Sequence, residues 1–323
     1  MSMKELNVGV IGVGHLGQYH AQKYFSMENV NLVGVVDIDQ DRAKSVAKKY
    51  NTKSYVNYKN IISKVDAVSI AVPTPSHFQV SRDLLENGVD VLIEKPMTTT
   101  LKEADKLIDI AESKDLIIQV GHIERFNPAV GALQDIINSP MFIEAHRLSV
   151  YKNRCTDVSV VLDLMIHDID IILNIVKSKI STIHATGASV IAKHVDIANA
   201  RIAFANGCVA NVTTSRISMK NQRKIRIFQK DAYISVDFAN RNITTVQKND
   251  KDTTGIIPGM NIKKHCFSKG DALENELKSF IRSVRLREAS EIPGQSGRNA
   301  LQVALTIMDQ INLPSNETEK NLS

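Results

Sequence analysis

An apolar hexapeptide, Leu6–Ile11, runs directly into Gly12-Val13-Gly14-His15-Leu16-Gly17, and a helical pattern follows as far as Ser26. Few folds tolerate glycines at this spacing between a strand and a helix. The first permits a tight turn, the second leaves backbone open to a close neighbour, and the third lets the helix pack against the strand. The opening therefore reads as a βα unit, and the pattern repeats. Val30–Asp37, Ala67–Val72, Val89–Glu94 and Ile117–Gly121 read as strands. Gln40–Tyr50, Ser76–Asn87 and Leu101–Ser113 read as helices, with Asp39 and Ser76 as N-caps. Repeated units of this kind build a parallel sheet with helices on both faces.

The texture changes after Pro128. A helix (Ala129–Asn138), a strand (Phe142–Val150) and a long helix (Val158–Val176) are expected in turn. From Ile180 to Val246 the apolar residues alternate with period two, and Asn206-Gly207 is a two-residue hairpin signal. Asp271–Arg285 and Ser296–Ile311 read as helices, and the polar last ten residues as a frayed end. The expected class is α/β. A doubly wound parallel sheet occupies 1–122, and an α+β domain with a large, open, mostly antiparallel sheet occupies 123–323.

Composition removes several classes. A net charge of +5 over 323 residues is too small to argue for nucleic-acid binding. No run of about 18 apolar residues predicts a membrane span. A strand begins within the first few residues, so no signal peptide is expected. The three cysteines, Cys155, Cys208 and Cys266, have neither zinc spacing nor a disulfide framework. They fit a reducing cytoplasm, and no metal is expected.

The glycine loop is suited to an anion, because a helix N-terminus offers free N–H groups and the positive end of its dipole. Asp37 ends the second strand 20 residues after Gly17. A carboxylate there accepts hydrogen bonds from the ribose of a dinucleotide and repels a 2′-phosphate, which favours NAD over NADP. Arg42 close by keeps NADP open, and a simple turn aspartate is the competing reading of Asp37.

Val72-Pro73-Thr74-Pro75-Ser76-His77 follows the third strand and Glu94-Lys95-Pro96 the fourth, both at the carboxyl edge where open parallel sheets bind ligands. Farther on, Asp163 and His167 stand at i, i+4 on one helix. Taken with the glycine loop, these segments resemble the oxidoreductase family named for glucose–fructose oxidoreductase and inositol dehydrogenase, over essentially the whole chain. One departure is visible. Many members are glycine-rich just before Asp-x-x-x-His, where this chain reads Val158-Ser159-Val160-Val161-Leu162.

The resemblance implies an NAD-dependent dehydrogenase acting on a CH–OH group. Lys95 would hold or polarise the hydroxyl, His167 would act as general base, and Asp163 would orient the imidazole or bind a second hydroxyl. The three are expected to converge on one cleft, and the Lys95–Pro96 bond is expected to be cis. Gly12, Gly14, His15, Leu16, Gly17, Asp37, Pro73, Thr74, Glu94, Lys95 and His122 are the expected cofactor contacts. His77 either joins them or simply sits in the first turn of its helix. Arg125, Tyr151 and Arg154 join Lys95, Asp163 and His167 as substrate contacts, with Asn153 a further candidate. The basic run Arg216, Lys220, Arg223, Lys224, Arg226 is either a solvated edge or a phosphate site. Within the family, Arg125–Pro128 and Asp157–Asp170 look most like members that oxidise the 3-hydroxyl of UDP-linked amino sugars. An inositol or free-sugar dehydrogenase is the alternative. A noncatalytic NAD-binding regulator and a nucleotide-binding interaction protein are the readings from other classes. The sheet of the second domain has no evident cover on one face, so a homodimer or homotetramer is expected.

Overall fold

In the computed structural model β1 (Leu6–Ile11) lies inside a six-stranded sheet, and its apolar run is buried on both faces, with Val8 and Val10 at zero exposure. The other strands are β2 (Val30–Val36), β3 (Lys53–Tyr55), β4 (Ala67–Ile70), β5 (Asp90–Glu94) and β6 (Ile118–Gly121). The order is β3-β2-β1-β4-β5-β6, all parallel. Strand order reverses between β1 and β4, the switch point at which such sheets bind ligands. The edge strand β3 is three residues long, too short for alternation to reveal it in the sequence.

Four helices connect these strands: α1 (Gly17–Ser26), α2 (Gln40–Lys49), α3 (His77–Glu86) and α4 (Leu101–Ser113). Asp39 caps α2 as expected, accepting from the amides of Asp41 and Arg42. Ser76 does not cap α3. A 3-10 turn over Thr74–Ser76 leads into the helix, Ser76 is already helical at φ −94°, and its side chain makes no capping bond. The cap of α4 is reciprocal, with Thr100 accepting from the Glu103 amide while Glu103 accepts from Thr100.

The structure describes residues 5–133, 136–151, 158–248, 259–268 and 270–312. They form two compact units, one of residues up to 126 together with 271–301, the other of 127–270 together with the residues from 302 on. A boundary at 122 thus captures only the first passage of the chain. α7 (Ala272–Leu286) returns to the first unit, where Leu277, Phe280, Ile281 and Val284 join a core containing Val8, Tyr24 and Val30. The segment after α7 pairs along β6, with the Val120 amide bonded to the Ile292 carbonyl at 3.0 Å. Periodicity reveals that α7 has an apolar face, but not which core receives it.

The second unit opens with a short helix, α5 (Pro128–Gly131), where a longer one was expected over Ala129–Asn138. Its sheet has eight strands: β7 (Pro140–Leu148), β8 (Ile180–Ala188), β9 (Ile197–Phe204), β10 (Val209–Ser215), β11 (Gln222–Gln229), β12 (Ala232–Asp237), β13 (Asn242–Lys248) and β14 (Met260–Cys266). The order is β14-β13-β12-β11-β7-β10-β9-β8, antiparallel except where β10 meets β7. The helix expected over Val158–Val176 is two pieces, a π-helical turn at Val161–Met165 and then α6 (Ile166–Ile175), which packs on β7 and β10. α8 (Gly294–Asn312) ends the described chain. Among the described residues no helix is long and apolar enough to cross a membrane.

Candidate active site

The glycine loop is built as its spacing requires. Gly12 has φ +84°, and a Cβ there would lie 2.7 Å from the backbone of Ala71, just past the end of β4 next door. A Cβ on Gly17 would fall on the carbonyl oxygen of Gly12. At Gly14 nothing lies within 4 Å of the added carbon, so open space faces that backbone. α1 starts here with no side-chain cap and no acid in its first turn, which leaves its dipole unanswered. His15 and Leu16 are exposed beside it.

Asp37 follows β2 and is nearly buried. Its Oδ2 accepts from the Val13 amide inside the glycine loop at 3.0 Å, and its Oδ1 accepts from the Asp39 amide at 2.9 Å. The Arg42 guanidinium lies 3.3 Å from Oδ1. One carboxylate therefore ties the end of β2 to the loop and holds an arginine. Open backbone at Gly14, an uncapped helix end and a carboxylate 20 residues on together fit a dinucleotide.

Lys95 leaves the carboxyl end of β5, half-buried, and the Lys95–Pro96 peptide bond is cis, as expected. Glu94 before it is held firmly. Its Oε1 lies 3.1 Å from Nε2 of His20 on α1, and its Oε2 accepts from the Lys95 amide at 3.3 Å. His77 is buried, with Nδ1 2.9 Å from the Pro96 carbonyl and Nε2 2.8 Å from that of Val72. It ties the turns after β4 and β5 together. Burial outweighs those backbone bonds and pushes the His77 imidazole below its usual range. Pro73 is exposed and Thr74 half-buried on the same edge, while His122 is buried just after β6, ahead of the 3-10 turn that carries Arg125.

In the second unit Asp163 lies in the π-helical turn and His167 in the first turn of α6, both half-buried. π turns inside helices recur at functional sites. A cavity of about 370 Å³ borders Asp163 and is lined also by Arg147, Arg216, Arg223 and Asn221. Arg147 makes a buried two-pronged pair with Asp168, at 2.9 and 2.8 Å. Arg216, nearly buried, bonds the Val158 carbonyl and faces Asp196 at 3.9 Å. Tyr151 is exposed. Asn153 and Arg154 lie outside the described residues.

Two features of this region escaped the sequence reading. Arg147 sits in phase with Ile143 and Ala145 on the buried side of β7, and Asp168 lies among the buried isoleucines Ile166, Ile169, Ile171 and Ile172 of α6. A charge in phase with a buried apolar stripe is the signal that finds both. The first unit holds two residues found by the same signal, His20 and Glu276, each on the buried side of its own helix, α1 and α7.

The family model described as "Oxidoreductase family, NAD-binding Rossmann fold" matches residues 6–122, and that described as "GFO/IDH/MocA C-terminal domain" matches 142–235. The chain belongs to the Gfo/Idh/MocA oxidoreductase family. It is an NAD-dependent dehydrogenase. Its sequence is 37% identical over 306 residues to UDP-N-acetylglucosamine 3-dehydrogenase of Acidithiobacillus ferrooxidans, covering 94% of this chain and 97% of that one. A solved structure of that enzyme superposes with TM-score 0.90 at 35% identity, covering 96% of this chain and 98% of that one. Myo-inositol 2-dehydrogenase of Thermotoga maritima is 24% identical over 315 residues, with 92% and 93% covered.

Proposed function

We propose that the protein oxidises the 3-hydroxyl of UDP-N-acetylglucosamine, or of a closely related UDP-linked amino sugar. The observation that carries this reading is the likeness to the Acidithiobacillus enzyme, which runs the length of both chains at 37% identity. The arginine-lined cavity beside Asp163 supports it, because a nucleotide sugar brings a diphosphate that a free sugar or cyclitol lacks.

In this reading the Gly12–Gly17 loop and the start of α1 hold the pyrophosphate, and Asp37 holds the adenosine ribose. Pro73, Thr74, Glu94, Lys95 and His122 border the rest of the cofactor. His77 acts from behind, by fixing the turns that carry Pro73 and Lys95. NAD, when bound, supplies the hydride acceptor. Oxidation of a carbinol to a ketone also releases the hydroxyl proton. Lys95 holds that oxygen through its ammonium, and His167 takes the proton on its imidazole. Asp163 orients the ring or binds a second hydroxyl. Arg125, Tyr151 and Arg154 serve as further substrate contacts. The active species is a homodimer or homotetramer.

The test is NAD reduction with UDP-N-acetylglucosamine, other UDP-sugars, myo-inositol and free sugars, with the oxidised carbon located by NMR. Turnover is expected with UDP-N-acetylglucosamine, giving a 3-keto product. Turnover with myo-inositol and none with any UDP-sugar would overturn the assignment.

A further inference from the structure

Glu276 lies on α7 with zero exposure, and neither of its carboxyl oxygens has a hydrogen-bond partner among the described residues. A carboxylate left so is costly, several kcal/mol at least for an unpaired buried ion. Gln119 on β6 donates to the Glu276 backbone carbonyl, and β6 pairs with β5, whose last residue is Glu94, just before Lys95. The Glu94 charge acts on the Glu276 carboxyl. Two carboxyl groups that interact in a dry interior do not both ionise readily. Glu94 has the donors, His20 Nε2 on Oε1 and the Lys95 amide on Oε2. The negative charge therefore belongs to Glu94 and the proton to Glu276.

We propose that Glu276 is a positioning residue for Lys95. As an un-ionised acid it leaves Glu94 the charged member of the two, free to hold the Lys95 backbone, and when it loses its proton the second charge drives Glu94 off that contact. The 3-10 turn Ile123–Phe126 packs against α7 and carries Glu124 and Arg125, with His122 buried just before it, and Lys23 on α1 bridges Asp271 and Glu274 at the start of α7. α1 presents His20 to Glu94, and its Tyr24 hydroxyl is engaged by Ser69 at 2.7 Å. β5 presents Glu94 and Lys95. β6 presents uncharged groups, Gly121 against Glu94 and Gln119, whose amide donates to the Glu276 carbonyl at 2.9 Å. Burial first, and then the Glu94 charge, push the Glu276 carboxyl well above the usual range. Burial alone would raise Glu94 too, but the His20 bond and the charges of His20 and Lys95 outweigh it and hold Glu94 below its usual range. Burial pushes the Tyr24 phenol up, against the Ser69 bond.

The proposal rests on Lys95 working at the reacting carbinol, and its test has one arm that does not. The folded protein holds the Glu276 proton more tightly than the unfolded chain does. That stabilisation is complete below the unfolded pKa, about 4.3, and is lost as pH rises toward the folded value. Glu276→Gln keeps the shape and fixes the uncharged form. Its melting temperature relative to wild type should therefore climb as pH rises above the unfolded pKa and level off only once Glu276 is ionised in the folded protein as well. In the second arm, the alkaline limb of kcat should move up by about one pH unit or more, the scale at which two ionising groups count as coupled. Parallel melting curves would show that Glu276 holds no such proton and would overturn the proposal. Diverging curves with an unmoved alkaline limb would overturn the link to Lys95 while leaving the substrate assignment standing. If Glu276→Gln does not fold, infrared spectra of the wild-type protein with isotope-labelled glutamate decide. A protonated carboxyl band at neutral pH that fades on alkaline titration is expected, and its absence refutes the proposal.

Discussion

Asp37 is the residue whose geometry bears most directly on cofactor choice. Its carboxylate accepts the Val13 amide from within the glycine loop and holds Arg42 at 3.3 Å. Removing it has two effects with different signs. The ribose loses a charged acceptor, and such bonds contribute about 1.5–3 kcal/mol, so NAD should bind Asp37→Ala roughly tenfold to a hundredfold more weakly. Arg42 loses one of its two carboxylate partners, keeping Asp39 at 3.1 Å, and becomes more available to a 2′-phosphate, so NADP should lose less than NAD or gain outright. Calorimetric titration of both cofactors would check this, and an unchanged NAD-to-NADP ratio would count against the role. For Lys95 and His167, alanine should cut kcat by about 10²-fold or more, the usual scale for a positioned acid or base. NAD affinity should hardly change in either variant. Near-normal turnover by His167→Ala on the true substrate would remove it as the base.

At the scale of elements, α7 is the instructive case. Asp271 caps it, accepting from the Glu274 amide, and Lys23 on α1 bridges Asp271 at 2.5 Å and Glu274 at 3.3 Å. Loss of such a cap costs about 0.5–2 kcal/mol, so Asp271→Ala should lower the unfolding free energy by that amount, and Asp271→Asn by less. Burial would raise the Asp271 carboxyl, but the Lys23 and Glu274 bonds outweigh it and hold it below its usual range. Hydrogen bonds from Lys278 and then Lys23 lower Glu274. Stability from a depressed carboxyl is present above its unfolded pKa and disappears as pH falls through the folded value. The penalty of Asp271→Ala should therefore be full at neutral pH and shrink in acid. Denaturant titrations at several pH values would show it, and a penalty independent of pH would mean that Asp271 acts only as a cap.

α7 also shows what the sequence could not convey. The βα repeats, the glycine loop, Asp37 and the Glu-Lys-Pro turn were legible because each is a local pattern with a local cause. Likewise, Asp163 and His167 were found on one helix. That the helix opens with a π turn is decided by packing on β7 and β10, and period alone does not encode it. Ser76 failed as a cap because a 3-10 turn had already begun at Thr74. Glu276 is the sharpest miss. In sequence it is one more acid on an amphipathic helix, and only the return of α7 to the first core makes it a buried one.

At the scale of the whole molecule, the eight-stranded sheet carries the argument. Its covered face is a continuous core that includes Ile143, Ala145, Ile225, Ile227, Ile234 and Val236. The opposite face carries a row of residues in register across seven strands: Ala203, Val209, Phe142, Phe228, Tyr233, Val246 and Ile262. None of the seven is buried within the chain, and Phe228 and Ile262 remain 37% and 39% exposed. The rings of Phe142, Phe228 and Tyr233 stand 5.8 and 5.1 Å apart in sequence along the row. Around it the face is set with cross-strand polar pairs, Glu144 with Arg226 and Asn199 with Thr213. An apolar stripe flanked by polar residues is the pattern of an interface core within a rim. Burying it returns roughly 25 cal/mol for each Å² of apolar surface removed from water. A two-fold partner would present the same row to itself. Wild-type protein should therefore sediment as a dimer or tetramer at micromolar concentration. Phe228→Asp places a charge at the centre of the stripe, where desolvation is costly, and should yield monomers whose melting temperature depends less on protein concentration. Wild type sedimenting as a monomer, or Phe228→Asp assembling as wild type does, would place the interface elsewhere or remove it.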